Sequence, residues 1–162
     1  MQEIIKVGMA DLKVVKSPNV LTTLGLGSCI GIALYDRHTK IAGLAHIMLP
    51  DSAQIKNNMN KAKFADTGIE LLIEQMIVLG CSKSRLTAKI AGGSQMFNFG
   101  NSNNDIMKIG YRNAVATKEI LSKYNIPIVS EDTGGNYGRT IELYSDTGTL
   151  VVKTIGHGIK EI

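Results

Sequence analysis

Two apolar runs, residues 30–34 and 41–49, flank the polar stretch Asp36-Arg37-His38-Thr39. Short apolar runs joined by a polar turn read as a β-hairpin, here with strands at 29–35 and 40–48. The hairpin begins at Cys29, directly after the glycine-rich segment Gly25-Leu26-Gly27-Ser28, and its return strand carries His46. These two residues are 17 positions apart. Neighbouring antiparallel strands can bring them side by side. A thiol needs a base within about 2.6–3.2 Å to become a good nucleophile, and this spacing permits it.

Strands are also expected at 2–7 and 12–15, with a turn at Ser17-Pro18-Asn19, while 22–24 leads into the glycine turn. Pro50-Asp51-Ser52 opens a polar loop reaching Asn60, whose length and polarity suit a mobile, substrate-facing segment. A helix is predicted over 61–79, with Ala65, Ile69, Leu72, Ile73 and Met76 facing inward and Gly80 as its C-terminal cap. A strand at 86–91 and an asparagine-rich loop at 100–105 follow. The second helix, 109–124, should turn Val115, Ile120, Leu121 and Tyr124 inward. A strand at 127–130, a turn at 132–136 and a hairpin of 139–144 with 149–154 complete the chain. Neither a linker nor a clean repeat interrupts 1–162, so one domain is expected.

Composition narrows the function classes. The net charge is +4, the basic residues are scattered, and the densest group, Lys56, Lys61 and Lys63, reads as solvated surface. There is no RNA-binding aromatic motif and no helix-turn-helix signature, so nucleic acid is not an expected partner. The apolar stretches fall well short of the roughly 18 residues a membrane span requires. The N-terminus lacks a signal-peptide pattern, so a cytoplasmic location without membrane insertion is expected. Cys29 and Cys81 are the only cysteines and form no CxxC pair. A disulfide framework and a structural zinc site are therefore disfavoured, and His38, His46 and His157 are too dispersed to suggest a metal.

Gly25 and Gly27 allow a sharp turn whose N–H groups, around Gly27 and Ser28, point outward and could hold an oxyanion. Each candidate alone has an ordinary explanation. Cys29 could be a buried cysteine at a strand start, and His46 a satisfied core histidine. Together they favour chemistry. A histidine base also needs an orienting partner on its second ring nitrogen, for which Thr22, Thr23 and Asp132 are candidates. Cys81, at a helix end with no histidine near it in sequence, reads as structural. His38 is expected in an exposed turn, and His157 in a flexible tail between Gly156 and Gly158. The glycine segment is a poor phosphate cradle, because it has no P-loop lysine and precedes a strand.

Four motifs carry a family resemblance. Thr23-Leu24-Gly25-Leu26-Gly27-Ser28-Cys29, Ala45-His46-Ile47-Met48-Leu49-Pro50-Asp51-Ser52, Ala88-Lys89-Ile90-Ala91-Gly92-Gly93 and Glu131-Asp132-Thr133-Gly134-Gly135-Asn136 together resemble the chemoreceptor glutamine deamidases, the CheD family. The likeness spans nearly the whole chain. It implies a three-layer α/β/β fold, α+β with mixed sheets and about two main helices, similar to toxin-type cysteine deamidases. It implies Cys29 as nucleophile, His46 as base and Thr23 as the third member, with no metal and no cofactor.

The resemblance further implies deamidation of glutamines on methyl-accepting chemotaxis receptors through a thioester, with possible methylesterase activity. The implied partner is the CheC phosphatase, competing with the receptor, and Phe97 and Phe99 are candidates for that surface. Two other readings stand beside the enzyme. One is a non-catalytic adaptor that binds receptors and CheC. The other is a redox-sensing thiol at Cys29, which lacks a resolving cysteine nearby in sequence.

Overall fold

The hairpin forms as the sequence requires and lies at the centre of a sheet. The computed structural model describes residues 1–56, 58–95 and 108–162. Strands β4 (Ile30–Asp36) and β5 (Ile41–Ile47) pair antiparallel, with Gly31 opposite His46 and Ile30 opposite Ile47. β2 (Asp11–Lys16) pairs with the outer edge of β5. β6 (Leu86–Gly92) pairs antiparallel with β4 and parallel with β7 (Ile128–Thr133). This first sheet has the order β2-β5-β4-β6-β7.

A second sheet has the order β1-β3-β8-β9-β10. Its strands are β1 (Ile4–Lys6), β3 (Val20–Leu26), β8 (Arg139–Tyr144), β9 (Leu150–Thr154) and β10 (Gly158–Glu161). β1 runs parallel to β3 and the remaining pairs are antiparallel. The helices α1 (Ala65–Leu79) and α2 (Ile109–Lys123) pack on the first sheet, α1 chiefly on β5 and α2 on β4, β6 and β7. Among the described residues no helix is long and apolar enough to cross a membrane.

Side-chain alternation along β4 and β5 divides the core into two layers. Ile30, Ile32 and Leu34, with Ala45 and Ile47, meet Ile69, Leu72 and Met76 of α1 and Leu121 of α2. Cys29, Ala33, Ala42 and Leu44 face the other way, against Leu21, Leu26, Ile141 and Leu143 of the second sheet. The result is the expected α/β/β sandwich. Both faces of the central hairpin are covered, which is why its strands are apolar throughout.

Several boundaries differ from the sequence reading. α1 begins at Ala65, not at 61. Lys61–Lys63 forms a separate 3-10 turn capped by the Asn60 side chain, and Phe64 is extended. The Lys63 carbonyl accepts from the N–H groups of Met48 and Leu49, tying this turn to the end of β5 before the helix can start. The inward residues expected for α1 are all buried. In α2 only Leu121 of the four expected is fully buried, and the stripe instead runs Gly110, Asn113, Ala114, Thr117, Leu121. The segment expected only to lead into the glycine turn is a full strand, β3. The expected flexible tail around His157 is a turn into β10, and the His157 ring stacks on Tyr137 with centroids 4.3 Å apart. The asparagine-rich loop at 100–105 lies outside the described residues.

Candidate active site

Cys29 immediately precedes β4, and its carbonyl accepts from Gly93 N–H at 2.8 Å, extending the β4–β6 ladder by one step. Its side chain belongs to the layer between the sheets. His46 is the register partner of Gly31. Paired residues share a face, so His46 projects from the same side of the sheet as Cys29, one diagonal step away. Gly31 has no side chain there, and the place of its Cβ is taken by Ile141 and Leu26, whose Cδ1 atoms would lie 2.5 and 3.1 Å from it. The hairpin thus brings nucleophile and base candidates together in the inter-sheet layer.

The third member comes from the opposite sheet. Thr23 on β3 is fully buried and its Oγ1 lies 2.7 Å from His46 Nδ1. The same hydroxyl donates to the carbonyl of Val7 at 2.7 Å. A hydroxyl has one proton to give. With that proton committed to Val7, Oγ1 must accept from His46, so the neutral imidazole carries its proton on Nδ1 and a lone pair on Nε2. His46 Nε2 is buried and has no hydrogen-bond partner among the described residues. The backbone supports this arrangement from both sides: Val7 N–H donates to the Thr22 carbonyl at 2.7 Å, and Ala10 N–H to the His46 carbonyl at 2.9 Å.

Burial sets the charges. Desolvation pushes the Cys29 thiol above its ordinary 9.0, partly offset by its own backbone N–H. Desolvation likewise lowers His46 below its ordinary 6.5. Both directions disfavour a standing thiolate–imidazolium pair and favour a neutral thiol beside a neutral base. Exposure assigns the roles in turn. Cys29 keeps 8% of its surface, whereas His46 keeps 1% and Thr23 none, so Cys29 is the most exposed of the three.

Gly25 adopts φ 68°, the left-handed turn expected of the glycine segment, and the neighbouring Leu24 is half exposed. Gly27 accepts from Ser94 N–H at 2.9 Å through its carbonyl. Gly92, at φ 113°, lies so close beneath the nucleophile that a Cβ there would be 2.2 Å from the Cys29 carbonyl oxygen. The Asn113 side chain on α2 donates from Nδ2 to the carbonyls of Ser28 and Met48, each at 2.9 Å. Sequence reasoning missed Asn113 and the Val7 carbonyl. Spacing in α2 offered a signal for the former, since residue 113 falls on a stripe with 110, 114, 117 and 121. Nothing in the sequence marks a backbone carbonyl.

The other candidate orienting partners are engaged elsewhere. Thr22 Oγ1 donates to the Ile141 carbonyl at 2.8 Å. Asp132 pairs with buried Arg139 at 3.4 Å and with Lys160 at 3.3 Å. Arg139 also donates to the Gly134 carbonyl at 2.8 Å and to the Gly92 carbonyl at 3.3 Å, tying the third and fourth sequence motifs together. Cys81 is buried with Thr39 Oγ1 at 3.8 Å, and His38 is exposed. Phe97 and Phe99 lie outside the described residues. Among the described residues no group of three or more histidine, cysteine, aspartate or glutamate side chains could hold a metal ion.

Comparison with known proteins gives a consistent result. A family model described as CheD chemotactic sensory transduction matches residues 48–154. The probable chemoreceptor glutamine deamidase CheD of Caldanaerobacter subterraneus subsp. tengcongensis is 64% identical over 160 residues, covering 99% of this chain and 98% of that protein. The chemoreceptor glutamine deamidase CheD of Bacillus subtilis is 52% identical over 160 residues, covering 98% of this chain and 96% of that protein. Both alignments cover nearly the full chain, whereas the family model begins after Cys29 and His46. A crystal structure of a Neisseria meningitidis protein superposes with a TM-score of 0.48 at 10% identity, over 82% of this chain and 62% of that one, too weak a likeness to refine the fold.

Proposed function

This chain belongs to the CheD family of chemoreceptor glutamine deamidases, and from that premise we propose how its own residues carry out the deamidation. The reaction converts a receptor glutamine side chain to glutamate and so tunes chemotactic signalling. Cys29 is the nucleophile, His46 the general base and acid, and Thr23 the residue that orients His46.

The cycle starts from the neutral pair. As Sγ attacks the carboxamide carbon, Nε2 of His46 takes the thiol proton. The carbonyl oxygen becomes an oxyanion, held by backbone N–H groups at Ser28 and Cys29, with Gly27 shaping the turn. The imidazolium then returns the proton to the amide nitrogen. The C–N bond breaks, ammonia leaves, and a thioester joins the substrate to Cys29. Water attacks that thioester while Nε2 removes its proton. The C–S bond breaks, the sulfur recovers a proton from His46, and glutamate is released.

A single observation carries this reading. Thr23 gives its proton to Val7 and accepts from His46 Nδ1, which leaves a bare Nε2 on the face of the sheet that holds Cys29. Family membership supports the remaining expectations: one domain over 1–162, action in the cytoplasm, receptor helices as substrate, and CheC as a competing partner. Phe97 and Phe99 are proposed for the partner surface, and hydrolysis of receptor methyl esters for a side activity.

Mass spectrometry of a glutamine-bearing receptor cytoplasmic fragment tests the reading. Wild-type protein should add about 1 Da per converted glutamine, the mass difference between a carboxamide and a carboxylic acid, and Cys29→Ala, which lacks the nucleophile, should add none. Receptor binding that persists in both proteins without any mass change would replace the enzyme with the adaptor.

A further inference from the structure

Asn113 holds together the two segments on which the chemistry depends. Its Nδ2 donates to Ser28, the residue before the nucleophile, and to Met48, two residues beyond the base, across sequence separations of 85 and 65 residues. Both partners are carbonyl oxygens, so only the amide nitrogen can face them. The residue is completely buried, yet its Oδ1 has no partner among the described residues. A buried amide with an orphaned acceptor is a poor choice for packing alone.

The geometry around Ser28 gives the amide a specific task. The Ser28–Cys29 peptide is trans, so its C=O and N–H point in opposite directions. Asn113 draws the carbonyl toward α2. The Cys29 N–H therefore points away from α2, on the residue that carries the nucleophilic sulfur. No carbonyl of the described residues accepts from this N–H, although the Cys29 carbonyl on its other side is fixed by Gly93. An N–H beside the nucleophilic sulfur, with no carbonyl on it, is placed to receive the oxyanion that forms when that sulfur adds to a carboxamide.

We propose that Asn113 is a positioning residue for the deamidation: by holding the Ser28 carbonyl on an amide that is itself anchored to Met48, it aims the Cys29 N–H at the developing oxyanion. The inference rests on the deamidase reading above. It separates two properties of the site. The intrinsic reactivity of the thiol depends on Cys29 and His46, whereas stabilisation of the oxyanion depends on Asn113.

The test uses Asn113→Ala and Asn113→Ser, assayed for receptor-fragment deamidation and for alkylation of Cys29 by iodoacetamide, read at the Cys29 peptide. Alkylation is a displacement at a saturated carbon and forms no oxyanion. Asn113→Ala should lower kcat at least about tenfold, toward the effect of losing an oxyanion donor, with KM within about twofold and alkylation within about threefold of wild type. Asn113→Ser, which keeps one donor, should recover part of kcat. If the alanine variant does not melt cooperatively, the serine variant carries the same comparison. Deamidation within twofold of wild type in the variants would overturn the proposal, as would deamidation and alkylation falling together. Failure of the wild-type protein to deamidate any fragment would instead overturn the deamidase reading, and this inference with it.

Discussion

Thr23 Oγ1 on β3 and His46 Nδ1 on β5 meet at 2.7 Å across the two sheets, and this contact sets the tautomer of the base. Each sheet supplies one half of the orienting pair, so the packing between sheets is itself part of the site.

Removing the hydroxyl should therefore disable the base without removing it. Thr23→Val is expected to lower kcat at least about tenfold, because the imidazole loses the acceptor that fixes its tautomer, a loss that reaches about 10⁴ in a Ser-His-Asp triad. It should also cost about 1–3 kcal/mol, because it leaves the buried Val7 carbonyl and His46 Nδ1 unpaired. Thr23→Ser should restore most of the activity. Steady-state kinetics and urea unfolding of the three proteins check this, and a silent Thr23→Val would remove Thr23 from the site.

The pH dependence follows from the neutral resting pair. The active form needs His46 unprotonated and Cys29 still carrying its proton. Burial lowers the first pKa below 6.5 and raises the second above 9.0. Activity should rise with pH through an acid limb below 6.5, hold a broad plateau, and fall through an alkaline limb above 9.0. Thiolate absorbance at neutral pH, compared with Cys29→Ser, should be negligible. A strong thiolate signal would instead indicate a standing ion pair.

Gly92→Ala should damage the site from beneath. Its Cβ would lie 2.2 Å from the Cys29 carbonyl oxygen, a backbone atom already held by Gly93, and its φ of 113° suits no other residue well. Backbone strain should cost about 1–3 kcal/mol. Displacement of the nucleophile by a fraction of an ångström should lower kcat by up to about 100-fold. Chemical denaturation and kinetics read the two effects separately, and a stable, fully active variant would contradict the close approach.

Away from the site, Asp36 anchors the hairpin turn. Burial pushes its carboxyl up, but the Arg85 guanidinium and the N–H groups of His38, Ser82 and Thr39 outweigh burial and bring it down to about 2, against an ordinary 3.8. A depressed folded pKa stabilises above the unfolded value. This contribution is present above about pH 4 and is lost as the pH falls toward 2. Asp36→Asn should cost about 1.5–3 kcal/mol at neutral pH, the range for hydrogen bonds to a charged group, and should flatten the acid end of the stability curve. Thermal unfolding at pH 7 and pH 3 checks both expectations.

The parts of the fold that were legible were those where side-chain character follows geometry. Two apolar runs and a polar turn fixed the β4–β5 hairpin, and with it the shared face of Cys29 and His46. The choice of Thr23 over Thr22 and Asp132 was not legible from spacing, because it depends on how β3 faces the other sheet. Only the family resemblance pointed to Thr23. β10 was missed because all four of its residues are exposed, so no apolar alternation marks it. The inward face of α2 was misread for the opposite reason. Its buried stripe is built from Gly110, Asn113, Ala114 and Thr117, small or polar residues that close contacts and carbonyl partners bury, while the apolar Val115 stays partly exposed.

Nitrogen-15 NMR of histidine-labelled protein at neutral pH tests the central claim most directly, with His46 assigned by single replacement of His38 and His157. The His46 ring should be neutral, protonated at Nδ1 and bare at Nε2, a pattern lost in Thr23→Val. A ring protonated at Nε2, with Nδ1 bare toward Thr23, would contradict this assignment, because such a histidine has no lone pair on Nε2 to take the Cys29 proton.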